Sequence, residues 1–205
     1  RIAMLTAGML PNVAEGVNGP AVIADVDGDG SMEVGISSAA GPGFLLEPDG
    51  TSHFGVGGDG LPLSVECDQT GSSSDSADAP VVCALGGSSF TTLGDGLAYV
   101  ATTMGLGRAI DLFLPASQLR SDDQISAWST EDGSFLEAFP RKVNDRMFFV
   151  SPGAADIDAD GSQEILVGSS YYDVHAMDIT GSEPDGWPKF TGGWSVAAPS
   201  SADFD

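Results

Sequence analysis

The sequence predicts an all-β fold assembled from repeated units, and three observations carry that expectation. Short apolar or alternating runs are separated throughout by Gly, Asp and Pro, the punctuation of strands and turns. No stretch of about 12 or more residues keeps a helical apolar period, so the crossovers of an α/β fold are missing. The chain also repeats itself. "GPAVIADVDGDGSMEVGISSA" (19–39) lies over "SPGAADIDADGSQEILVGSS" (151–170), with Asp25, Asp27, Asp29 and Glu33 in register with Asp156, Asp158, Asp160 and Glu164.

A third copy is degenerate. "SSFTTLGDGLAYVATTMG" (88–105) keeps Asp95-Gly96 but carries Thr91, Leu93 and Tyr99 at the other acidic positions. A fourth begins at "SSADFD", where Asp203 and Asp205 match the first two acids. Between the motifs a second element recurs in "IAMLTAGMLP" (2–11), "ISAWSTEDGSFLEAFP" (125–140) and "VHAMDITGSEPDGWP" (174–188). Each has an apolar or alternating run and a closing Pro, and the two longer copies have a turn rich in Gly and acids. In the clearest unit "GAADI", "EILVGSS", "DVHAMDI" and "WPKFTG" supply four strands over about 45 residues, the signature of a β-propeller blade. The expected division is the end of one blade at 1–16, a blade at 17–83, a degenerate blade at 84–143, a blade at 144–192 and the start of another at 193–205. About three blades plus fragments make an incomplete propeller.

Composition narrows the function. With 205 residues and 41% hydrophobic content the chain is globular rather than disordered. Thirty acidic residues against seven Lys and Arg give a formal charge of −23, which repels phosphate backbones and anionic membranes and argues against nucleic-acid binding. No apolar run reaches the roughly 18 residues of a membrane span. The chain opens at Arg1 without a signal peptide, which reads as processing or as an excerpt. Cys67 and Cys83 flank 15 residues of polar sequence. A disulfide between them would stabilise by about 3 kcal/mol on the chain-entropy argument, given an oxidising compartment; two unpaired thiols are the alternative.

The repeated loop calls for a cation. Asp at positions 1, 3 and 5, Gly30 or Gly161 at 6 and Glu at 9 gather carboxylates in a tight turn, the oxygen-rich environment that Ca²⁺ takes. Ser31 and Ser162, at position 7, are expected to lend backbone carbonyls. An EF-hand needs a Glu at position 12, where Ile36 and Val167 stand, and it needs flanking helices. Zinc lacks its Cys and His cluster. An acidic turn without an ion is the bland reading, since Asp-Gly pairs are common in hairpins.

The loops in "PAVIADVDGDGSMEV" and "PGAADIDADGSQEIL", each following an apolar strand, resemble FG-GAP/VCBS-type repeats, the units of integrin-α-like calcium-binding β-propellers. "GWPKFTGGWSVAAPSSADFD" is similar to the inter-blade segment of bacterial secreted members. The resemblance covers residues 17–50 and 125–205 well and 84–105 weakly. It implies one ion between the first two strands of a blade, held by Asp25, Asp27, Asp29 and Glu33 and again by Asp156, Asp158, Asp160 and Glu164. It also implies an exported or surface location, and no ion at Thr91–Tyr99.

The expected function is that of a calcium-stabilised extracellular or cell-surface binding and adhesion module. Its partners would be a protein or glycan, or the remainder of a propeller supplied by the chain or by partner subunits. The alternative is the propeller portion of a secreted polysaccharide hydrolase or lyase. Adjacent acids such as Asp122/Asp123 and Glu131/Asp132 read as turn residues rather than a catalytic pair. His53 and His175 have no nucleophile constellation around them, and His175 reads as a packed or edge strand residue. Trp128 and Trp187 recur within the repeat segments, which fits packing between blades better than sugar stacking; Trp194 fits it less well.

Overall fold

A computed structural model describes residues 19–37, 43–54, 83–105, 123–143, 147, 150–169, 172–195 and 197–202. All regular structure among them is β: three antiparallel sheets of three or four strands, none closed on itself. Sheet 1 is β1 (Val22–Ala24), β2 (Glu33–Ser37) and β3 (Gly43–Leu46), in that order. Sheet 2 is β4 (Cys83–Leu93), β5 (Gly96–Gly105), β6 (Gln124–Ser129) and β7 (Arg141–Lys142). Sheet 3 is β8 (Gly153–Ala155), β9 (Glu164–Gly168), β10 (Asp173–Met177) and β11 (Lys189–Phe190). Each is a meander, so every strand pairs with its neighbour in sequence. The four strands expected of the clearest unit are those of sheet 3. Cys67, Asp203 and Asp205 lie outside the described residues, and so do the expected bridge to Cys83 and the fourth loop.

Sheets 1 and 3 share one register. Ala24 faces Glu33 and Val22 faces Gly35 in the first; Ala155 faces Glu164 and Gly153 faces Leu166 in the second. A constant offset of 131 residues therefore relates their first three strands, carrying Leu46 onto Met177. The turn after the third strand recurs in all three sheets. Asp49 Oδ1 accepts bonds from the N–H and hydroxyl of Thr51 (2.9 and 2.6 Å). Asp132 does the same for Ser134 (3.0 and 2.7 Å), and Asp178 for Thr180 (2.7 and 2.6 Å). A carboxylate receiving an amide two residues on is a compact way to reverse a chain. It accounts for the acid-rich turns and gives Asp132 a structural role.

Sheet 2 is the middle layer. Tyr99, Ala101 and Trp128 form one face, with Val22 of β1 and Phe54, beyond β3, packed against them. On the other face Leu93, Ala98, Val100, Ile125 and Ala127 join Ile165, Val167 and Met177 of sheet 3, with Met147 sealing the cluster at 0% exposure. Because both faces are covered, β6 is buried at five of its six positions. Trp128 lies in the core as expected, stacked on Phe135 at 5.3 Å and tilted against Tyr99 at 5.9 Å. Trp187 is half-buried, with the Lys189 ammonium 5.5 Å from its ring centre, and Trp194 is exposed.

Close approach needs small residues. A Cβ on Gly35 would stand 2.5 Å from Tyr99 Cε2 and 2.8 Å from Val22 Cγ2, while the Tyr99 hydroxyl shares a 2.8 Å hydrogen bond with Ser37 Oγ beside it. Burial pushes the Tyr99 phenol above its ordinary pKa. A Cβ on Gly87 would run into Ser151. Overpacking of this kind typically costs about 1–3 kcal/mol. Gly35→Ala is accordingly expected to destabilise by about that amount in chemical denaturation. Gly96→Ala, whose Cβ meets nothing within 4 Å, is expected to be near neutral.

Candidate metal centre

The two acidic loops join the first and second strands of sheets 1 and 3. In each, eight residues lie between the last paired residues, Ala24 and Glu33 or Ala155 and Glu164. The degenerate copy has the same eight between Phe90 and Tyr99, but there the ladder continues through Thr91–Ala98, Thr92–Leu97 and Leu93–Gly96, leaving only Gly94-Asp95 as the turn. Without the acids the segment zips into a hairpin; with them it stays open.

In the open loops, carboxylates replace cross-strand carbonyls as acceptors. Asp25 accepts from the N–H groups of Gly28 (2.7 Å) and Gly30 (3.1 Å), Asp27 from that of Asp29 (3.0 Å), and Asp29 from that of Ser31 (2.6 Å). The second loop repeats three of these four bonds: Asp156 accepts from Gly161 N–H (3.0 Å), Asp158 from Asp160 N–H (3.2 Å) and Asp160 from Ser162 N–H (2.7 Å). The bond to Ser31 holds the Asp29 carboxyl below its usual pKa. Gly30 (φ 89°) and Gly161 (φ 94°) take the left-handed turn that a side chain would resist. Position 4 is left-handed in both loops as well, at Gly28 (φ 78°) and, more unusually, at Ala159 (φ 63°).

Glu33 and Glu164 form the floor. Glu33 is wholly buried and Glu164 is 1% exposed. Through Oε2 they accept the N–H of Val26 and Ile157, both at 2.8 Å, the residue between the first two Asp of each loop. Burial, helped by Asp158, Asp160 and Asp156, raises the Glu164 pKa. Glu33 Oε1 is buried and meets no hydrogen-bond partner, a costly state for a carboxylate oxygen. One carboxylate oxygen from each of Asp25, Asp27 and Asp29 falls within 4.8 Å of the others, as does one from each of Asp156, Asp158 and Glu164.

These groups suit a hard cation, which carboxylate oxygens arriving every second residue can surround. The sequence-predicted ligands are thus brought together in part. Glu33 lies under its loop but outside the tight Asp triplet, and Asp160 stands outside the second triplet. Ser31 and Ser162 stand two residues after the third Asp of their loops, and the Ser162 hydroxyl oxygen accepts the N–H of Gly94 in the β4–β5 hairpin at 2.9 Å. Gln163 adds two bonds to the same hairpin, Oε1 from Thr92 N–H (3.0 Å) and N–H to Thr92 O (3.2 Å). Sequence reading missed this docking, because nothing in "SQE" distinguishes it from a solvated loop.

Two further polar ties were also missed. His53 Nδ1 lies 2.7 Å from Glu47 Oε1 while Nε2 lies 3.1 Å from the Thr130 carbonyl, linking sheet 1 to the turn of sheet 2. His175, 9% exposed, pairs through Nδ1 with Glu183 at 2.6 Å. Asp123 is buried and accepts the Met147 N–H at 2.7 Å, which gives it a structural role. Neither a scan against protein-family models nor a search of the curated proteins gives a match to this chain.

A neutral amide at the floor keeps the Val26 bond and removes the buried charge. Glu33→Gln is therefore expected to melt in chelator at the wild-type temperature or above, and to gain less than wild type when a divalent cation is added. Differential scanning fluorimetry with and without chelator checks both halves.

Proposed function

We propose that the chain is part of a calcium-stabilised β-propeller of a secreted or cell-surface protein, and that its work is binding a protein or glycan rather than chemistry. One observation carries the cation: the fully buried Glu33, with an unsatisfied oxygen, beneath three Asp whose oxygens converge. Calcium fits better than magnesium, which holds its water and takes fewer protein oxygens. The side chains of Asp25, Asp27, Asp29 and Glu33 would hold one ion. Those of Asp156, Asp158, Asp160 and Glu164 would hold the other, with backbone carbonyls at Ser31 and Ser162.

The stacking of the sheets supports the propeller reading. They lie face on face in sequence order, and β4 at Gly87 is approached by Gly19, which precedes β1, and by Ser151, which precedes β8. The segment that follows sheet 3 continues the series, with Pro199 O 2.6 Å from a Cβ built on Gly153. On this reading 17–83, 84–143 and 144–192 are blades, the middle one with a hairpin in place of the ion loop. The acidic surface and the resemblance to FG-GAP/VCBS repeats favour an exported protein in a calcium-rich medium.

An ion that binds only the folded loop stabilises by about 1.4 kcal/mol per site at ten times Kd. Chelator is expected to lower the melting temperature, and Asp27→Ala and Asp158→Ala should each remove part of that sensitivity. Melting that ignores chelator would overturn the cation. A glycan and polysaccharide screen separates the roles: calcium-dependent retention without turnover is expected, and product release would establish the hydrolase or lyase alternative.

A further inference from the structure

The two acidic loops share a register but not their surroundings. In the second loop Ser162 and Gln163 make three bonds to the β4–β5 hairpin of sheet 2. Ser162 Oγ accepts the Gly94 N–H at 2.9 Å, Gln163 Oε1 accepts the Thr92 N–H at 3.0 Å, and the Gln163 N–H donates to Thr92 O at 3.2 Å. The offset of 131 residues puts Ser31 and Met32 at these places in the first loop. There Met32 is 54% exposed, and among the described residues no hydrogen bond ties either residue to another sheet. One loop is docked on its neighbour and its twin is not.

Ser162 belongs to that contact and to the candidate cation cup at once. Its N–H is held by Asp160 Oδ1 at 2.7 Å, while its hydroxyl oxygen faces the hairpin. Gln163 then leads directly into Glu164, which is 1% exposed and sets a carboxylate oxygen within 4.8 Å of oxygens from Asp156 and Asp158. The equivalent Glu33 leaves a fully buried oxygen without a partner under the first loop. The two docking residues are therefore the link between the third Asp of the cup and its buried floor. Whatever fixes the backbone from Asp160 to Glu164 also fixes the acceptors that the hairpin uses.

We propose that cation occupancy of the second loop is coupled to the seating of the β4–β5 hairpin, with Ser162 and Gln163 as the coupling residues, and that the first loop fills without this effect. The inference rests on the cation reading above and names what the ion at the second loop controls, the grip between sheets 2 and 3. An ion that orders residues 160–164 removes freedom that the three hairpin bonds must otherwise remove, and a seated hairpin spares the ion the same cost. Such coupling is reciprocal by linkage. Sheet 2, whose own copy of the loop is a plain hairpin, takes support for that hairpin from the cup of sheet 3.

Amide exchange of the 205-residue chain, followed residue by residue by NMR in chelator and in calcium chloride, tests the coupling. Calcium at ten times Kd is expected to slow exchange at Thr92 and Gly94 by up to about tenfold. The Gly133 amide, which donates to Ser129 O in the outer turn of sheet 2, should keep its rate. The double substitution Ser162→Ala and Gln163→Ala removes two of the three bonds. It is expected to abolish the calcium response at Thr92 and Gly94 and, by reciprocity, to weaken one calcium site by about fivefold or more in titration calorimetry. Ser31→Ala should change neither. Calcium that binds while Thr92 and Gly94 exchange at their chelator rates overturns this inference alone. Equal slowing at Gly133, or a double variant that binds calcium as wild type does, overturns it too. The wild-type comparison decides by itself if the double variant does not fold. A chain that binds no calcium overturns the cation reading and this inference with it.

Discussion

Carboxylate crowding governs the architecture of both loops. Two charges about 4 Å apart repel by about 1 kcal/mol in water and about 4 kcal/mol at an effective dielectric near 20. Closing eight residues into a hairpin with three acids aboard would press those charges together and offer their backbone no better partners. The loop instead curls outward, and each Asp oxygen takes up an amide that a cross-strand carbonyl would otherwise receive. Where Thr, Leu and Tyr replace the acids, the same length of chain closes on itself down to Gly94-Asp95. The buried Glu is the one acid that the curl cannot push into solvent, and that is why its oxygen is the most informative atom in the site.

The loops are tied into the stack. Ser162 and Gln163 attach the second loop to the β4–β5 hairpin of the neighbouring sheet. On the other side of sheet 2 the contact is made by glycine and aromatic side chains, Gly35 against Tyr99 and Trp128 behind it, with His53 bridging the outer turns. The two interfaces therefore hold by different means, one through polar bonds at a loop and one through packing.

Much of this was legible in the residues. The repeat fixed which segments are strands, and the alternation of Asp with small or apolar residues marked where the first two strands part. What could not be read was the facing of the middle sheet. Tyr99 aligns with Glu33 in the motif, yet the two side chains point toward each other's sheets instead of the same way round. A single residue of phase exchanges the faces of a strand, and strands covered on both sides, like β6, carry no polar alternation to reveal the phase. Trp187 and Trp194 were similarly ambiguous, because their aromatic character says that they pack but not which surface they meet. The polar partners of His53 and His175 escaped because Glu47 and Glu183 lie six and eight residues away across a turn, at no helical or strand spacing.

Ala159 has a bearing on how such loops diverge. It holds the left-handed backbone that Gly28 holds at the same place, and the carboxylate bonds on either side persist around it. The shape is thus dictated by where the acids find their amides, and glycine at the fourth position merely eases it. Alanine at that place thus keeps the cup, so a search pattern that insists on D-x-D-G would pass over loops of the same shape.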